Sequence, residues 1–392
     1  MKESVHTLEF ATIGDVLKKY RKQSNLSISQ LARLTGVRKG VIAKIENGST
    51  RRPGLKITMP LAKVLNIPTD KIVELYIEID KRPEVLFGLL NEAIRLFNVP
   101  LAARVAQRIL ETPYEESYSL MERLYNFVSS SSDLRFQLPL YHVIIKYARE
   151  RGMQRFLAKG LLNKYLIERD DFNRLEETYN TGEEILHYVD FLSNEEKVTI
   201  YYKMAFHAHA MKKYEKCIEF GKMGHAADLT HNELKERVAL AICNSYMFLG
   251  DYRALEQHLD LFEKLDYRFI IERIKFFRGT VYSRTGKYEE AIPLLRECLV
   301  ETTEVNRIFR LTELFDALCK VSDLNSIKSF LEEEEKKIQI FDNDPYQYSE
   351  LGRFYKLKGN YFMTNGLIDE GMEAYMQSIY YFEKIGALKL IM

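Results

Sequence analysis

The chain has 392 residues, 46% of them hydrophobic, and its 57 Lys and Arg against 56 Asp and Glu leave a net charge of +1. That length and apolar content fit two or three domains with a large core and exclude extensive disorder. No apolar run approaches the roughly 18 residues of a membrane helix, and the opening MKESVHTLEF lacks the apolar core of a signal peptide, so a cytoplasmic location is expected.

In chain order, Ile13, Val16, Leu17 and Tyr20 recur at helical spacing, with the basic run Lys18, Lys19, Arg21 and Lys22 mostly on the other face. Ser27 offers a side-chain oxygen at an N-cap, and Ser29 to Leu34 carry a short helix that stops at Gly36. A second short helix follows, with Val37, Ile42 and Ile45 as its buried stripe and Arg38, Lys39, Gly40, Ala43 and Lys44 outward. Glu46-Asn47-Gly48 closes it. Two helices joined by a tight Gly-containing turn form a helix-turn-helix, whose second member enters the DNA major groove.

The string Leu31-Ala32, Gly36-Val37, Ile42, Ile45-Glu46-Asn47-Gly48 and Leu61 to Ile67 resembles the Xre/Cro-type helix-turn-helix repressors. The resemblance covers about a sixth of the chain. It implies base contacts from the first residues of the recognition helix, at Lys39, Gly40 and Lys44. Lys can donate to guanine O6 and N7, and Gly40 permits close approach. Ile28 stands where the family has a phosphate-binding Gln, and Arg38 replaces the usual Ser or Thr cap. Arg51 and Arg52 in the next loop are substitute phosphate contacts. Charge supports the assignment: residues 1–72 hold 14 Lys and Arg against 5 Asp and Glu, a basic head on an acidic body.

Ile72, Val73, Leu75, Tyr76 and Ile79 predict one more helix, ended by Lys81-Arg82-Pro83, because proline disfavours helical geometry at the preceding residue. This gives a DNA-binding domain over 1–70, a linker helix over 71–83 and a repeat domain over 84–392. From Leu86 onward nearly every segment has helical periodicity, with few strand signals. Cys217, Cys243, Cys298 and Cys319 are dispersed within these helical patterns and read as core residues.

The segments around Phe172, Tyr214, Tyr252 and Tyr288 align, each with a ring after a turn and a small or apolar residue three positions on. Leu324 and Ile368 continue the series more weakly, and the spacings are 42, 38, 36, 36 and 44 residues. Gly279, Tyr282, Gly286, Tyr288, Ala291 and Cys298 make the best copy. The pattern resembles the tetratricopeptide repeat, nominally about 34 residues per helix pair. Six pairs are expected from about Met153, preceded by two divergent pairs from residue 84. The expected fold is all-α, a helix-turn-helix domain followed by a right-handed α-solenoid of tetratricopeptide-like helix pairs.

Such a stack has a concave face lined by the first helix of each pair. The residues projected onto it are Tyr202, His209, Arg237, Asn244, Arg273, Phe276, Thr280, Thr312, Asp316, Arg353, Lys356 and Asn360. Asn can both donate to and accept from a peptide backbone, Arg pairs a carboxylate, and Phe or Tyr supplies an apolar wall, so this set suits an extended oligopeptide.

No phosphate-binding glycine loop, His-Glu-x-x-His or Gly-x-Ser-x-Gly occurs, so no enzyme activity and no cofactor are expected. His207 and His209, two apart on a helix, splay and read as core or groove residues, so no metal is expected. Glu332 to Glu335 read as a solvated helix face.

An Xre-type head followed by tetratricopeptide-like repeats resembles the RRNPP family of peptide-responsive regulators in Gram-positive bacteria and their mobile elements, the arbitrium receptors of temperate phages included. That resemblance implies a cytoplasmic receptor for a short signalling oligopeptide, which controls binding to a double-stranded DNA operator. A homodimer is expected, because one recognition helix reads few bases and two must match two half-sites. The end from Tyr375 to Ile391 is a candidate pairing surface or a cap helix. Two alternatives remain open at this point. One is a helix-turn-helix-anchored scaffold for a protein partner. The other is a bifunctional regulator of the Rap type.

Overall fold

The computed structural model describes residues 12–341 and 344–385, apart from the side chains of Phe172 and Pro345. Among these residues the chain is all-α, with no strand. It divides into two compact units, 1–200 and 201–392.

The first unit opens with five short helices: α1 (Ile13–Gln23), α2 (Ile28–Thr35), α3 (Lys39–Glu46), α4 (Leu55–Val64) and α5 (Thr69–Ile79). Local chemistry sets their ends. Thr12 and Ser27 each form a reciprocal capping box, with Asp15 and Gln30 respectively, and α2 stops at Gly36, whose φ of 72° favours glycine. Ile13, Val16, Leu17, Leu31, Ile42, Ile45, Leu61, Ile72 and Val73 are buried as the core of this bundle. The α1 and α3 backbones approach so closely at Gly14 that a Cβ there would lie 2.1 Å from the Ile45 carbonyl oxygen. α5 packs on α1 and α4.

Helix pairs follow: α6 (Pro83–Arg95) with α7 (Val99–Leu110), α8 (Ser117–Ser129) with α9 (Leu134–Arg151), and α10 (Gln154–Glu168) with α11 (Leu175–Leu186). α12 (Asn194–Ala210) then pairs with α13 (Tyr214–Ala227), α14 (Glu233–Leu249) with α15 (Tyr252–Lys264) and α16 (Arg268–Arg284) with α17 (Tyr288–Val300). α18 (Glu304–Val321) and α19 (Leu324–Glu334), then α20 (Pro345–Thr364) and α21 (Ile368–Lys384), complete the series. These are the two divergent and six later pairs that the sequence pattern predicts. Tyr214, Tyr252, Tyr288, Leu324 and Ile368 each begin the second helix of their pair, while the side chain of Phe172 lies outside the described set.

In the second unit, first helices α14, α16, α18 and α20 pack in succession, each also carrying its own second helix. Leu295, Leu311, Leu314, Phe315, Leu351 and Phe354 form a continuous core along it. Its free cysteines are packing residues: Cys217, Cys243 and Cys298 are buried, and burial pushes the Cys217 thiol up to about 11. α21 covers α20, with Phe382 against Gly352 and Tyr381 stacked on Tyr355. Leu388, Leu390 and Ile391 of the candidate pairing surface lie outside the described residues. The stretch Glu332 to Glu335 is not wholly solvated. Glu334 is buried and ion-paired with Arg307 and Lys337, because this turn of α19 faces α18.

Candidate functional site: a basic helix face and an arginine-rich first-helix face

In the first unit, a buried ion pair fixes the helix-turn-helix. Arg21 Nε and a terminal nitrogen donate to the two oxygens of Glu46, each at 2.7 Å, and the other terminal nitrogen donates to the Leu26 carbonyl at 2.8 Å. One guanidinium therefore joins the end of α1, the turn before α2 and the end of α3. The fork geometry suits only Arg. On α3, Lys39, Gly40 and Lys44 are exposed, and a Cβ at Gly40 would meet nothing within 4 Å. Arg38 precedes the helix at its N-cap position, where a guanidinium has no acceptor to offer the free N–H groups, and its side chain is exposed.

The loop after α3 holds Arg51 and Arg52, both exposed. Fully buried Tyr76 of α5 anchors that loop by donating to the Pro53 carbonyl at 2.8 Å, and its hydroxyl lies 2.7 Å from that of Thr58. Burial pushes the Tyr76 phenol up to about 12, against the opposing effect of Thr58. Among the described residues, Arg38, Lys39, Lys44, Arg51 and Arg52 have no ion-pair partner within 4 Å. Unmatched cations displayed on a groove-sized helix and its adjoining loop are what phosphate and base edges require.

In the second unit, the residues projected onto the first-helix face separate into two groups. Tyr202, Thr280 and Thr312 are buried, which corrects their expected place on an open wall. Tyr202 donates to Asp228 at 3.0 Å, and Thr312 donates to the Ile308 carbonyl at 2.8 Å. A first helix touches both its own partner and its neighbours, so only a narrow stripe stays accessible, and these positions fall beside it. His209 is half-buried against Tyr214 and Phe248, and burial lowers its pKa.

The remaining positions are partly or fully exposed. Arg237 stacks over Phe269 with 4.9 Å to the ring centroid and pairs with Glu233 at 2.7 Å. Arg273 also lies by Phe269, donating to its carbonyl at 3.2 Å and pairing with Glu272 at 3.2 Å. Asn244, Phe276 and Lys356 are half-buried, and Asn360 accepts a hydrogen bond from the Tyr375 hydroxyl at 2.7 Å. Asp316 accepts from Arg284 at 3.0 Å. Arg353 is shared by Glu313 and by Glu350 at 2.8 Å. Burial alone would lower the Arg353 pKa, but these two carboxylates raise it; burial raises that of Glu350.

Sequence projection missed Phe269, Arg284, Arg310, Glu313 and Glu350. Both oxygens of Glu313 accept from Arg284, at 3.0 Å each, and one also accepts from Arg353, which links α16, α18 and α20. Arg310 lies over the ring of Phe276 at 3.5 Å to its centroid. Burial lowers its pKa to about 10, with Cys298 and Glu313 opposing and Arg273 adding to the shift, so it remains charged at neutral pH. The missing signal is the spacing 310, 313, 316, one residue out of phase with Thr312.

No cluster of His, Cys, Asp and Glu among the described residues could hold a metal ion, and no described helix is long and apolar enough to cross a membrane.

The helix-turn-helix family matches residues 17–72. Among solved structures, SeMet-phAimR is 15% identical over 97% of this chain and 95% of that one, with a TM-score of 0.40. PlcR of Bacillus thuringiensis, solved in complex with the peptide PapR7 and DNA, is 14% identical over 96% of each chain, with a TM-score of 0.22. No curated protein matches the chain. Residues 17–72 are a helix-turn-helix domain, and the chain that carries it is an all-α protein built onward from helix pairs.

Proposed function

We propose that this chain is a transcriptional regulator that binds a double-stranded operator through α3 and is controlled by a short oligopeptide held on the first-helix face of its second unit. The observation that carries the reading is the unmatched basic surface of Arg38, Lys39, Lys44, Arg51 and Arg52, displayed by a domain whose recognition helix is locked through Arg21 and Glu46. The oligopeptide reading is supported by the accessible Arg237, Asn244, Arg273, Phe276, Asp316, Arg353, Lys356 and Asn360, which offer a carboxylate partner, backbone-amide partners and an aromatic wall along successive helices. The peptide can act only by binding two arrangements of the protein with different affinity, a coupling of about 1–3 kcal/mol in typical cases. The regulator works as a homodimer on two half-sites, about 34 Å apart for one turn of DNA.

The test begins with full-length protein and random double-stranded DNA, from which bound duplexes are selected and sequenced. A two-fold motif of paired half-sites is expected, and Lys39→Ala with Lys44→Ala should abolish retention of the selected duplex in a gel shift. Intact binding by that double variant would overturn the recognition-helix assignment. Adding synthetic oligopeptides to the same gel shift then tests the control.

A further inference from the structure

Most charged side chains on the first-helix face of the second unit are matched. Arg284 is held by Glu313 and Asp316, Arg353 by Glu313 and Glu350, Arg237 by Glu233, and Arg273 by Glu272. Arg310 is the exception. It is half-buried on α18, its guanidinium stacks on Phe276, and no carboxylate lies within 4.0 Å of it among the described residues. The side chains that act electrostatically on it are Cys298, a second cation, Arg273, one turn before Phe276 on α16, and the already shared Glu313. One turn after Phe276, the Thr280 hydroxyl is buried and has no hydrogen-bond partner among the described residues.

A half-buried guanidinium with a like charge near it and no carboxylate within 4.0 Å is less favourable than one free in water, since a cation that loses part of its hydration needs an anion and acceptors to replace it. The aromatic face recovers part of this, but it satisfies none of the in-plane N–H donors. Those donors remain available to a planar anion in the fork geometry of a carboxylate.

We infer that Arg310, flanked by Arg273 and walled by Phe276, is the subsite for a carboxylate of the bound oligopeptide. The inference rests on the oligopeptide reading above and specifies its ligand: the peptide carries a free α-carboxylate or an Asp or Glu side chain that completes Arg310.

The test uses immobilised full-length protein and three synthetic hexapeptide libraries, read by mass spectrometry. The first lacks Asp and Glu and has free C-termini, the second is the same set amidated, and the third is amidated with one Glu at varied positions. Wild type should enrich a carboxylate-bearing library over the amidated one by at least about tenfold, the size of one charge-assisted hydrogen bond. The library that is enriched tells whether the carboxylate is terminal or side-chain. Arg310→Met keeps the contact with Phe276 and should lose that preference, whereas Arg310→Lys should keep much of it. Without peptide, Arg310→Met should melt no lower than wild type, because it removes an unmatched charge.

Equal retention of amidated and carboxylate-bearing peptides, or an unchanged preference in Arg310→Met, overturns the subsite and leaves the oligopeptide reading standing. Retention of no library overturns both. A melting temperature of Arg310→Met well below wild type would mean that Arg310 is already satisfied inside the protein, and the subsite falls.

Discussion

Glu46→Ala is the sharpest probe of how the DNA-binding surface is held. The Arg21 and Glu46 side chains are only 12% and 5% exposed, and the pair comprises two parallel bonds of 2.7 Å. Removing the carboxylate strands the guanidinium among the ends of α1 and α3, with only the Leu26 carbonyl left to accept from it. Breaking a buried pair in this way costs about 3–5 kcal/mol. A domain of some 56 matched residues, at roughly 0.05–0.15 kcal/mol per residue, holds about 3–8 kcal/mol in all. The substitution should therefore leave the head marginal or unfolded while the helix pairs stay folded.

Hydrogen exchange of the intact protein, read by mass spectrometry over peptides from residues 13–46, measures this directly. Protection should fall by the full amount in Glu46→Ala and be largely restored in the double variant Arg21→Met with Glu46→Leu, where no charge is stranded. A loss below about 1 kcal/mol in the single variant would place the pair in the class of solvent-screened bridges and refute the reasoning. So would a double variant as unstable as the single one.

Lys39→Ala or Lys44→Ala should each weaken binding to the selected duplex by about 1–3 kcal/mol and relax the base preference at one position. Arg51→Ala should instead weaken all duplexes alike, with the slope of log affinity against log salt shallower by about 0.9, as fluorescence anisotropy across a salt series would show. Gly14→Ala drives a methyl to 2.1 Å from the Ile45 carbonyl oxygen, a backbone atom that no rotamer change can move. It should cost at least about 1–3 kcal/mol and abolish DNA binding in the gel shift. His225, ringed by Tyr202, Phe262 and Tyr267 and hydrogen-bonded to the Lys235 carbonyl, has its pKa lowered from 6.5 to about 4 by burial. The unfolded chain therefore binds more protons between those values. The stability is fully present above pH 6.5 and falls by up to about 3 kcal/mol as pH drops to 4. Thermal melts over that range should show the loss in wild type and a flatter profile in His225→Phe.

What the sequence made legible follows from how far each interaction reaches along the chain. Ser27 with Gln30, the left-handed Gly36 and the aromatic residues at Tyr214, Tyr252 and Tyr288 act within a few residues, so spacing alone locates them, and the helices begin and end where that chemistry places them. The Arg21–Glu46 pair spans 25 residues, and nothing local distinguishes this Glu from one closing a helix. The first-helix face depends on phase as well as distance. Each residue advances about 100° around a helix, so projection took Thr312, whose hydroxyl turns to the Ile308 carbonyl of its own helix, and passed over Glu313, buried one position on and joined to the arginines of α16 and α20. Burial then sorts the positions by what they can do. Tyr202 and Thr312 satisfy their hydroxyls inside the protein and have nothing left for a ligand. Glu313 is occupied by two arginines, so it organises the face without being free to bind. Arg310 differs because its counter-charge is missing, and a missing partner has no signature in a sequence. It becomes visible only when every neighbouring carboxylate has been placed on another cation, and this is why the most informative residue of the first-helix face is one that spacing and composition passed over.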